Sequence, residues 1–294
     1  MSAGDKTVLV VGATGQQGGA TAAHLLKRGW TVRAFTRSAA GAAARRLAEA
    51  GAEVIEGDMG DRAALASAMR GVRGVFSVQP TFVTPELTPD VSAEDEVRWG
   101  QNVADAAKEA GVRHLVYASG FHADRATGIP TLENKWAIEQ HIRELGVPAT
   151  MLRPVSFMEN YLAMMPGQSA GDGELVSAVR ADVSQPLIAL EDIGAFAALA
   201  FEDPDAYIGE AVEIAGDSLT PPQIAAALSR AAGREFRHVE MPLEPLRDQN
   251  PVLYRAYKAM NELDLTEVDV PALRKIHPGL LTFEAWLAKQ HLAG

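Results

Sequence analysis

Gly12, Gly15 and Gly18 are spaced G-x-x-G-x-x-G, directly after the β-rich run Thr7–Val11 and at the opening of a helical segment. Glycines in that context suit the pyrophosphate of a dinucleotide. Gly12 and Gly15 permit a tight turn whose backbone N–H groups approach the phosphates, and Gly18 lets the helix lie close to the strand. The helix N-terminus adds a partial positive charge facing the same anion. Thr14, Gln16 and Gln17 complete the turn and are expected to share in that binding.

A second strand, Thr31–Thr36, should end beside an adenosine ribose, about 20 residues past the glycines, where an Asp or Glu would bond the 2′-hydroxyl of NAD. The chain reads Phe35-Thr36-Arg37-Ser38 there, with no acid. Arg37 suits a planar, charge-assisted grip on a 2′-phosphate, which favours NADP; its other reading is a solvated loop arginine. Asp58 and Met59 end a third strand, and Asp58 is placed either to meet the adenine edge or to cap a helix beginning near Asp61.

For chemistry, the helix expected near Leu132–Leu145 carries Thr131-Leu132-Glu133-Asn134-Lys135. Short-chain dehydrogenases place a Tyr four residues before a Lys on this helix, the Lys lowering the Tyr pKa. Here the Lys is present and the Tyr is not. The Tyr-x-x-x-Lys pair Tyr254 and Lys258 comes about 100 residues beyond the last parallel strand, too late for that topology. Ile138 and Ile142 follow Lys135 by three and seven residues, so Lys135 continues an apolar stripe. An inward lysine needs a partner, and a ribose hydroxyl or a substrate oxygen would serve; the alternative is a stripe-edge lysine snorkelling to water. Ser119, directly after a strand, is either a substrate-polarising hydroxyl or a polar turn residue. His122 beside it is either a substrate contact or a solvated loop histidine. Lys135 and Ser119 are the candidate catalytic residues.

The elements that must position these residues alternate. Thr7–Val11, Thr31–Thr36, Glu53–Glu56, Gly74–Val78, His114–Ala118 and Ala149–Leu152 read as strands. Helices are expected over Gln16–Arg28, Ala39–Ala50, Asp61–Met69, Ala93–Ala110 and Leu132–Leu145, with a proline-bearing loop over Gln79–Pro89. Strands apolar on both faces and separated by helices imply an α/β fold, a Rossmann-type doubly wound parallel sheet. Regular alternation stops at Arg153-Pro154, and Gly167, Gly171 and Gly173 mark irregular chain. Residues 1–154 are therefore read as the nucleotide domain and 155–294 as a smaller α+β substrate or partner region, with about 185–215 returning to the sheet. Leu190–Phe201 reads as a helix, Ala211–Ile214 as a strand, Thr220-Pro221-Pro222 as a helix start, and Thr282–His291 as a terminal helix.

Composition narrows the function. The 294 residues are 47% hydrophobic and 22% charged, ordinary for a globular chain, and carry a formal charge of −11. That balance argues against direct nucleic-acid binding, which needs clustered cations. There are no cysteines, so thiolate chemistry and thiolate metal sites are absent. The histidines show no metal-ligand spacing, no G-x-S-x-G elbow occurs, and no metal is expected. No run approaches the ~20 apolar residues of a membrane span. Met1 to Lys6 lacks a signal layout, so a cytoplasmic location is expected.

Taken together, Val10-Val11-Gly12-Ala13-Thr14-Gly15-Gln16-Gln17-Gly18-Gly19, Thr36-Arg37, Val116-Tyr117-Ala118-Ser119, Lys135, Leu152-Arg153-Pro154 and Phe157-Met158-Glu159-Asn160 resemble the NmrA-like family of atypical short-chain dehydrogenases. The resemblance implies that Gly12 to Gly18, Arg37, Asp58 and Lys135 contact NADP(H), and that Val78, Gln79, Pro80 and the stretch Phe157 to Asn160 border the nicotinamide. It also implies one of two functions. Some members are similar to quinone oxidoreductases or phenylpropanoid reductases, which work with the Lys and without the Tyr; others are redox-sensing regulators that bind the nucleotide and a protein partner. The expectation is an NADP(H)-dependent oxidoreductase acting on a small electrophile such as a quinone or an enone, with Phe121, Phe157, Tyr161 and Met164 as apolar lining. The alternative is an NADP(H)-sensing regulator.

Overall fold

In the computed structural model the first strand, β1 (Thr7–Val11), is buried along its whole length. Its alternate side chains serve two cores. Leu9 and Val11 enter a cluster with Leu65, Met69, Val103, Ala107, Ile138 and Ile142, whereas Val8 and Val10 lie on the opposite face. A strand buried on both faces must be interior to a sheet covered on both sides, and this one is. The structure describes residues 6–81, 90–125, 127–164, 173–263 and 268–290. Residues 82–89 of the proline-bearing loop, Gly167, Gly171, His291 and the side chain of Met164 lie outside them.

In chain order follow α1 (Gln16–Lys27), β2 (Thr31–Thr36), α2 (Ala42–Glu49), β3 (Glu53–Glu56), α3 (Arg62–Ala68), β4 (Gly74–Ser77), α4 (Ala93–Glu109), β5 (His114–Ala118), α5 (Pro130–Leu145) and β6 (Ala149–Pro154). Then come β7 (Ser156–Phe157), a 3-10 turn (Met158–Met164), β8 (Glu174–Ser177), β9 (Gln185–Ile188), α6 (Leu190–Glu202), α7 (Pro204–Tyr207), β10 (Ala211–Ile214) and β11 (Asp217–Leu219). The chain continues through α8 (Pro221–Ala232), β12 (Arg237–Glu240), α9 (Leu246–Gln249), α10 (Pro251–Glu262), α11 (Val270–Ile276) and α12 (Phe283–Lys289).

Seven strands form the main sheet in the order β10-β6-β5-β4-β1-β2-β3. The order reverses between β1 and β4, which pair in parallel with Val11 opposite Ser77. That junction is the switch point at which a doubly wound sheet leaves a crevice beyond its strand ends. β10 joins β6 through Gly209 N to Ala149 O, Met151 N to Glu210 O and Val155 N to Ile214 O; both chains advance together, so the pairing is parallel. No helix among the described residues is long and apolar enough to cross a membrane.

The chain folds as two compact units. Met1–Ala126, Pro130–Arg153 and Ile193–Val212 make the first; Thr127–Ile129, Pro154–Asp192 and Glu213–Gly294 make the second. The segment rejoining the first unit is narrower than 185–215, because β9 pairs with β11 and β7 in a separate three-stranded sheet. In the first unit Gly194 allows α6 to press on α1, since a Cβ there would lie 2.5 Å from the Ala20 carbonyl oxygen. The second unit has its own core of Leu187, Ile224, Leu228, Phe283 and Trp286. Its α12 is capped by Thr282, whose hydroxyl accepts from Ala285 N at 3.1 Å.

One buried polar contact sets a pH limit on the first unit. The Thr150 hydroxyl donates to Tyr207 O (2.8 Å), so its oxygen accepts from Nε2 of His114 at 2.7 Å. That fixes the neutral Nε2–H tautomer. Burial, aided by Arg73, lowers the His114 pKa to about 4. A folded value below the unfolded 6.5 means the unfolded chain takes up the proton first. The His114 contribution is therefore complete above pH 6.5, falls as the pH drops below it, and is lost near pH 4. The full loss is about 3 kcal/mol. Urea midpoints measured from pH 7 to pH 4.5 should fall more steeply for the native chain than for His114→Gln; equal slopes would refute the assignment.

Candidate active site

The glycine turn lies at the switch point and is built on close backbone contact. Gly12 has φ +77°, and a Cβ there would stand 2.6 Å from the carbonyl oxygen of Val78, just past β4. At Gly18 a Cβ would stand 2.2 Å from the Gly12 carbonyl oxygen. The missing side chains let the first turn of α1 close over the end of β1, and Gly15 N donates to Gly12 O at 3.0 Å. Thr14, Gly15 and Gln16 are exposed, with no acidic residue in the first turn of α1. An anion meets open N–H groups there and no repelling carboxylate. Gln17 presents a buried Oε1 with no hydrogen-bond partner among the described residues.

At the end of β2, Thr36 Oγ1 lies 3.4 Å from Thr14 Oγ1 and ties the second strand to the turn. Arg37 follows, exposed. The nearby acid, Glu56, accepts Ala39 N at 2.8 Å. The two readings of Asp58 are resolved in part: Asp61 caps α3 through Ala63 N and Ala64 N (2.9 and 3.0 Å), while Asp58 accepts Gly60 N at 2.7 Å and is exposed. Met59 is half-buried, and its carbonyl accepts Asn102 Nδ2. Past β4, Gln79 donates to Ser77 Oγ at 2.9 Å, and its buried Oε1 has no partner among the described residues. Val78 and Pro80 flank it, half-buried.

Lys135 faces inward, 9% exposed, beside Ile138 and Ile142. Its partner within the protein is a carboxylate: Nζ lies 3.3 Å from Glu96 Oε1 and 3.3 Å from Thr81 Oγ1. Asn134 holds the second Glu96 oxygen at 3.2 Å. Glu96 is fully buried on α4, and an ionised group at such a site must be paired. The stem of Lys135 passes over Gly120, where a Cβ would lie 3.1 Å from Lys135 Cδ. Thr81 and Gly120 lie just beyond β4 and β5, so the Lys135 amine sits at the strand-end rim of the sheet.

Ser119, 2% exposed, donates its hydroxyl to Glu139 Oε1 at 2.6 Å. Glu139, fully buried one turn after Lys135, takes both arms of Arg153 at 2.9 and 2.7 Å. The remaining Arg153 nitrogen reaches Asp124 at 2.9 Å. Burial opposes the charge of Arg153, but the hydrogen bonds it donates to Glu139 and Asp124 outweigh it, so the guanidinium holds its proton more firmly than a free arginine. Burial likewise raises Asp124, and the Arg153 contact overcomes it, leaving that carboxyl below its usual range. Tyr117, between these helices on β5, is driven well above its ordinary value by burial and by Glu96 and Glu139.

Phe157 and Asn160 belong to the second unit, the first half-buried in β7 and the second exposed. Glu159 between them accepts Leu190 N (3.0 Å) and Trp286 Nε1 (3.1 Å), and burial raises its pKa. Tyr161 packs edge-on against Phe283, its phenol pushed up to about 12 by burial and Tyr257. Tyr254 accepts from Arg247 at 2.9 Å on α10. His122 is buried, at φ +58°, and stacked on Phe121.

Glu96, Glu139, Asp124 and Thr81 were not singled out by sequence reasoning. A signal existed for Glu96, which shares the helical stripe of Gly100, Val103, Ala104 and Ala107, all buried; the charge on an apolar stripe that marked Lys135 marks Glu96 equally. A dinucleotide fits the first unit: Gly12 and Gly18 bring the backbone of the turn close against the end of β1, the start of α1 is exposed and free of acids, and Gln17 and Gln79 have buried Oε1 atoms with no hydrogen-bond partner among the described residues.

A family model described as the NmrA-like family matches residues 4–287. A (4-alkanoyl-5-oxo-2,5-dihydrofuran-3-yl)methyl phosphate reductase of Streptomyces griseus subsp. griseus is 35% identical over 243 residues, 82% of this chain and 79% of that protein. The nitrogen metabolite repression protein nmrA of Emericella nidulans is 27% identical over 266 residues, 85% of this chain and 72% of that one. The crystal structure of an NADPH-dependent quinone oxidoreductase from Escherichia coli complexed with NADPH superposes with a TM-score of 0.78 at 25% identity, covering 97% of this chain and 99% of that chain.

The glycine contact predicts a sign. Helix propensity alone would favour Gly18→Ala by about 0.5–1 kcal/mol, whereas the backbone collision should destabilise by about 1–3 kcal/mol. Urea unfolding of the variant reads which term wins; a gain in stability would show that α1 sits farther from β1 than described.

Proposed function

The chain belongs to the NmrA-like family, and from that premise we propose that it is an NADPH-dependent reductase of a small electrophile such as a quinone or an enone. The observation that carries the reading is Lys135: a buried cation on the helix that lacks the usual Tyr, held by Glu96 at the rim beyond β4 and β5. In open α/β sheets that rim is where ligands bind. Keeping a charged pair inside the protein is costly unless geometry or function rewards it. The names of the Streptomyces and Escherichia coli relatives, both reductive enzymes, support the same direction.

NADPH, when bound, supplies the hydride. Gly12, Thr14, Gly15, Gln16, Gln17 and Gly18 would hold its pyrophosphate, and Arg37 its 2′-phosphate. Asp58 and Met59 would meet the adenosine, and Val78, Gln79 and Pro80 the nicotinamide end. Lys135 would bond the ribose and polarise the acceptor oxygen, its ammonium oriented by Glu96 and Thr81. Ser119 would act from behind, because its hydroxyl is engaged by Glu139. A second reading, an NADP(H)-sensing regulator with a protein partner, is favoured by the missing Tyr and by the likeness to the repression protein.

One assay separates these readings. Anaerobic titration with NADPH followed by a quinone and enone panel should show tight binding and oxidation of the reduced nicotinamide; tight binding with no oxidation by any acceptor would favour the regulator. In that assay Arg37→Ala should weaken NADPH at least about tenfold and leave NADH nearly unchanged; equal losses would remove the 2′-phosphate role. Lys135→Met should abolish turnover, but it strands a buried carboxylate at about 3–5 kcal/mol. Lys135→Met with Glu96→Gln removes both charges, and full activity in that folded pair would exclude Lys135 from the mechanism.

A further inference from the structure

Arg153 ends the Pro130–Arg153 segment of the first unit, 3% exposed, and links three parts of that unit. Its Nε and Nη2 take both oxygens of Glu139 on α5, its Nη1 takes Asp124 in the turn after β5, and its own backbone lies in β6. Through Glu139 it also fixes the Ser119 hydroxyl. We propose that Arg153 is a positioning residue that clamps the Ser119–Arg125 turn against the stem of Lys135, and so sets the acceptor end of the site. The kinetic consequence rests on the reductase reading; the clamp itself does not.

Three observations lead to this assignment. First, the turn is wound tightly, with Ala123 N on Gly120 O (3.1 Å) and Arg125 N on His122 O (3.0 Å), and it holds His122 at φ +58°. A non-glycine residue in that region is strained and persists only where its surroundings enforce it. Asp124, the next residue but one, is where Arg153 takes hold. Second, the turn packs against α5 at the lysine stem: a Cβ on Gly120 would stand 2.8 Å from Leu132 Cδ2 and 3.1 Å from Lys135 Cδ. Any drift of the turn therefore moves or frees that stem. Third, the turn carries the stacked rings of Phe121 and His122, centroids 3.7 Å apart and 30° from parallel. His122 is buried and Phe121 only partly so, so the accessible part of Phe121 is the apolar surface this turn offers a planar acceptor. A lysine could not replace Arg153, because one ammonium cannot span two carboxylates in a planar fork.

The test uses Asp124→Asn first, which loosens the exposed end of the clamp and leaves the buried Arg153–Glu139 pair intact. Arg153→Lys is the second variant. Amide hydrogen exchange over 119–125 should quicken about tenfold in either, with exchange across β1 unchanged. The KM for a quinone acceptor should rise about tenfold or more, while the NADPH Kd stays within about twofold, because the glycine turn is untouched. Unchanged exchange over 119–125 in folded Asp124→Asn and Arg153→Lys would overturn the clamp. Faster exchange with an unchanged acceptor KM would overturn its role in the site. Failure of the reductase reading looks different: the native chain would bind NADPH and transfer its hydride to none of the quinones or enones supplied, and the exchange result would still decide whether Arg153 holds the turn.

Discussion

The rim of this sheet depends on contacts that leave no space for a Cβ. At Gly12 and Gly18 the backbone of α1 lies against the end of β1, and Gly12 in turn lies against Val78 beyond β4. At Gly100 a Cβ would meet the Ile138 side chain at 2.5 Å, so the bare glycine of α4 makes room for an isoleucine of α5. At Gly120 the lysine stem occupies the same kind of gap. Protein interiors are close-packed and transmit small displacements, so these contacts fix where the helix amides open and where the buried cation emerges. Binding geometry follows from backbone proximity before any side chain acts.

Inside that frame two carboxylates with no solvent exposure, Glu96 and Glu139, face two cations, Lys135 and Arg153. Such pairs seldom add net stability over well-packed apolar residues, because desolvation offsets the attraction. Their value here is registration. Each pair links different elements: Glu96 joins α4 to α5, and Arg153 joins β6 to α5 and to the turn after β5. A one-turn slip of either helix would leave a buried charge unmatched, which makes the spacing of the elements specific as well as close.

Much of this was legible beforehand, and the reasons are physical. Fully buried strands read as apolar runs, as in Thr7–Val11 and His114–Ala118; Thr31–Thr36, Glu53–Glu56 and Ala211–Ile214 are less buried and are marked by short β-rich runs between helices, and all five stand where their sequences place them. Helix ends shifted by a few residues, as with α2, which begins at Ala42 and not Ala39, because fraying ends carry weak signals. The inward direction of Lys135 followed from its stripe, yet its carboxylate partner lies 39 residues away in sequence, a separation that local periodicity does not span. The engagement of Ser119 by Glu139 was hidden for the same reason. Residues from about 185 to 215 were expected to return to the main sheet, but Gln185–Ile188 pairs with Asp217–Leu219 in a separate one, and short strands do not announce their partners.

The pairing of Lys135 with Glu96 also constrains how this chain can change over generations. A typical domain is stable by only about 5–15 kcal/mol, and losing the lysine alone would strand a buried carboxylate at roughly a third of that reserve or more. A lineage that loses the lysine would therefore have to exchange position 96 along with position 135, or pass through a poorly folded ancestor. The two positions are coupled as heritable characters, and a glutamate kept on α4 records the past selection of the cation opposite it.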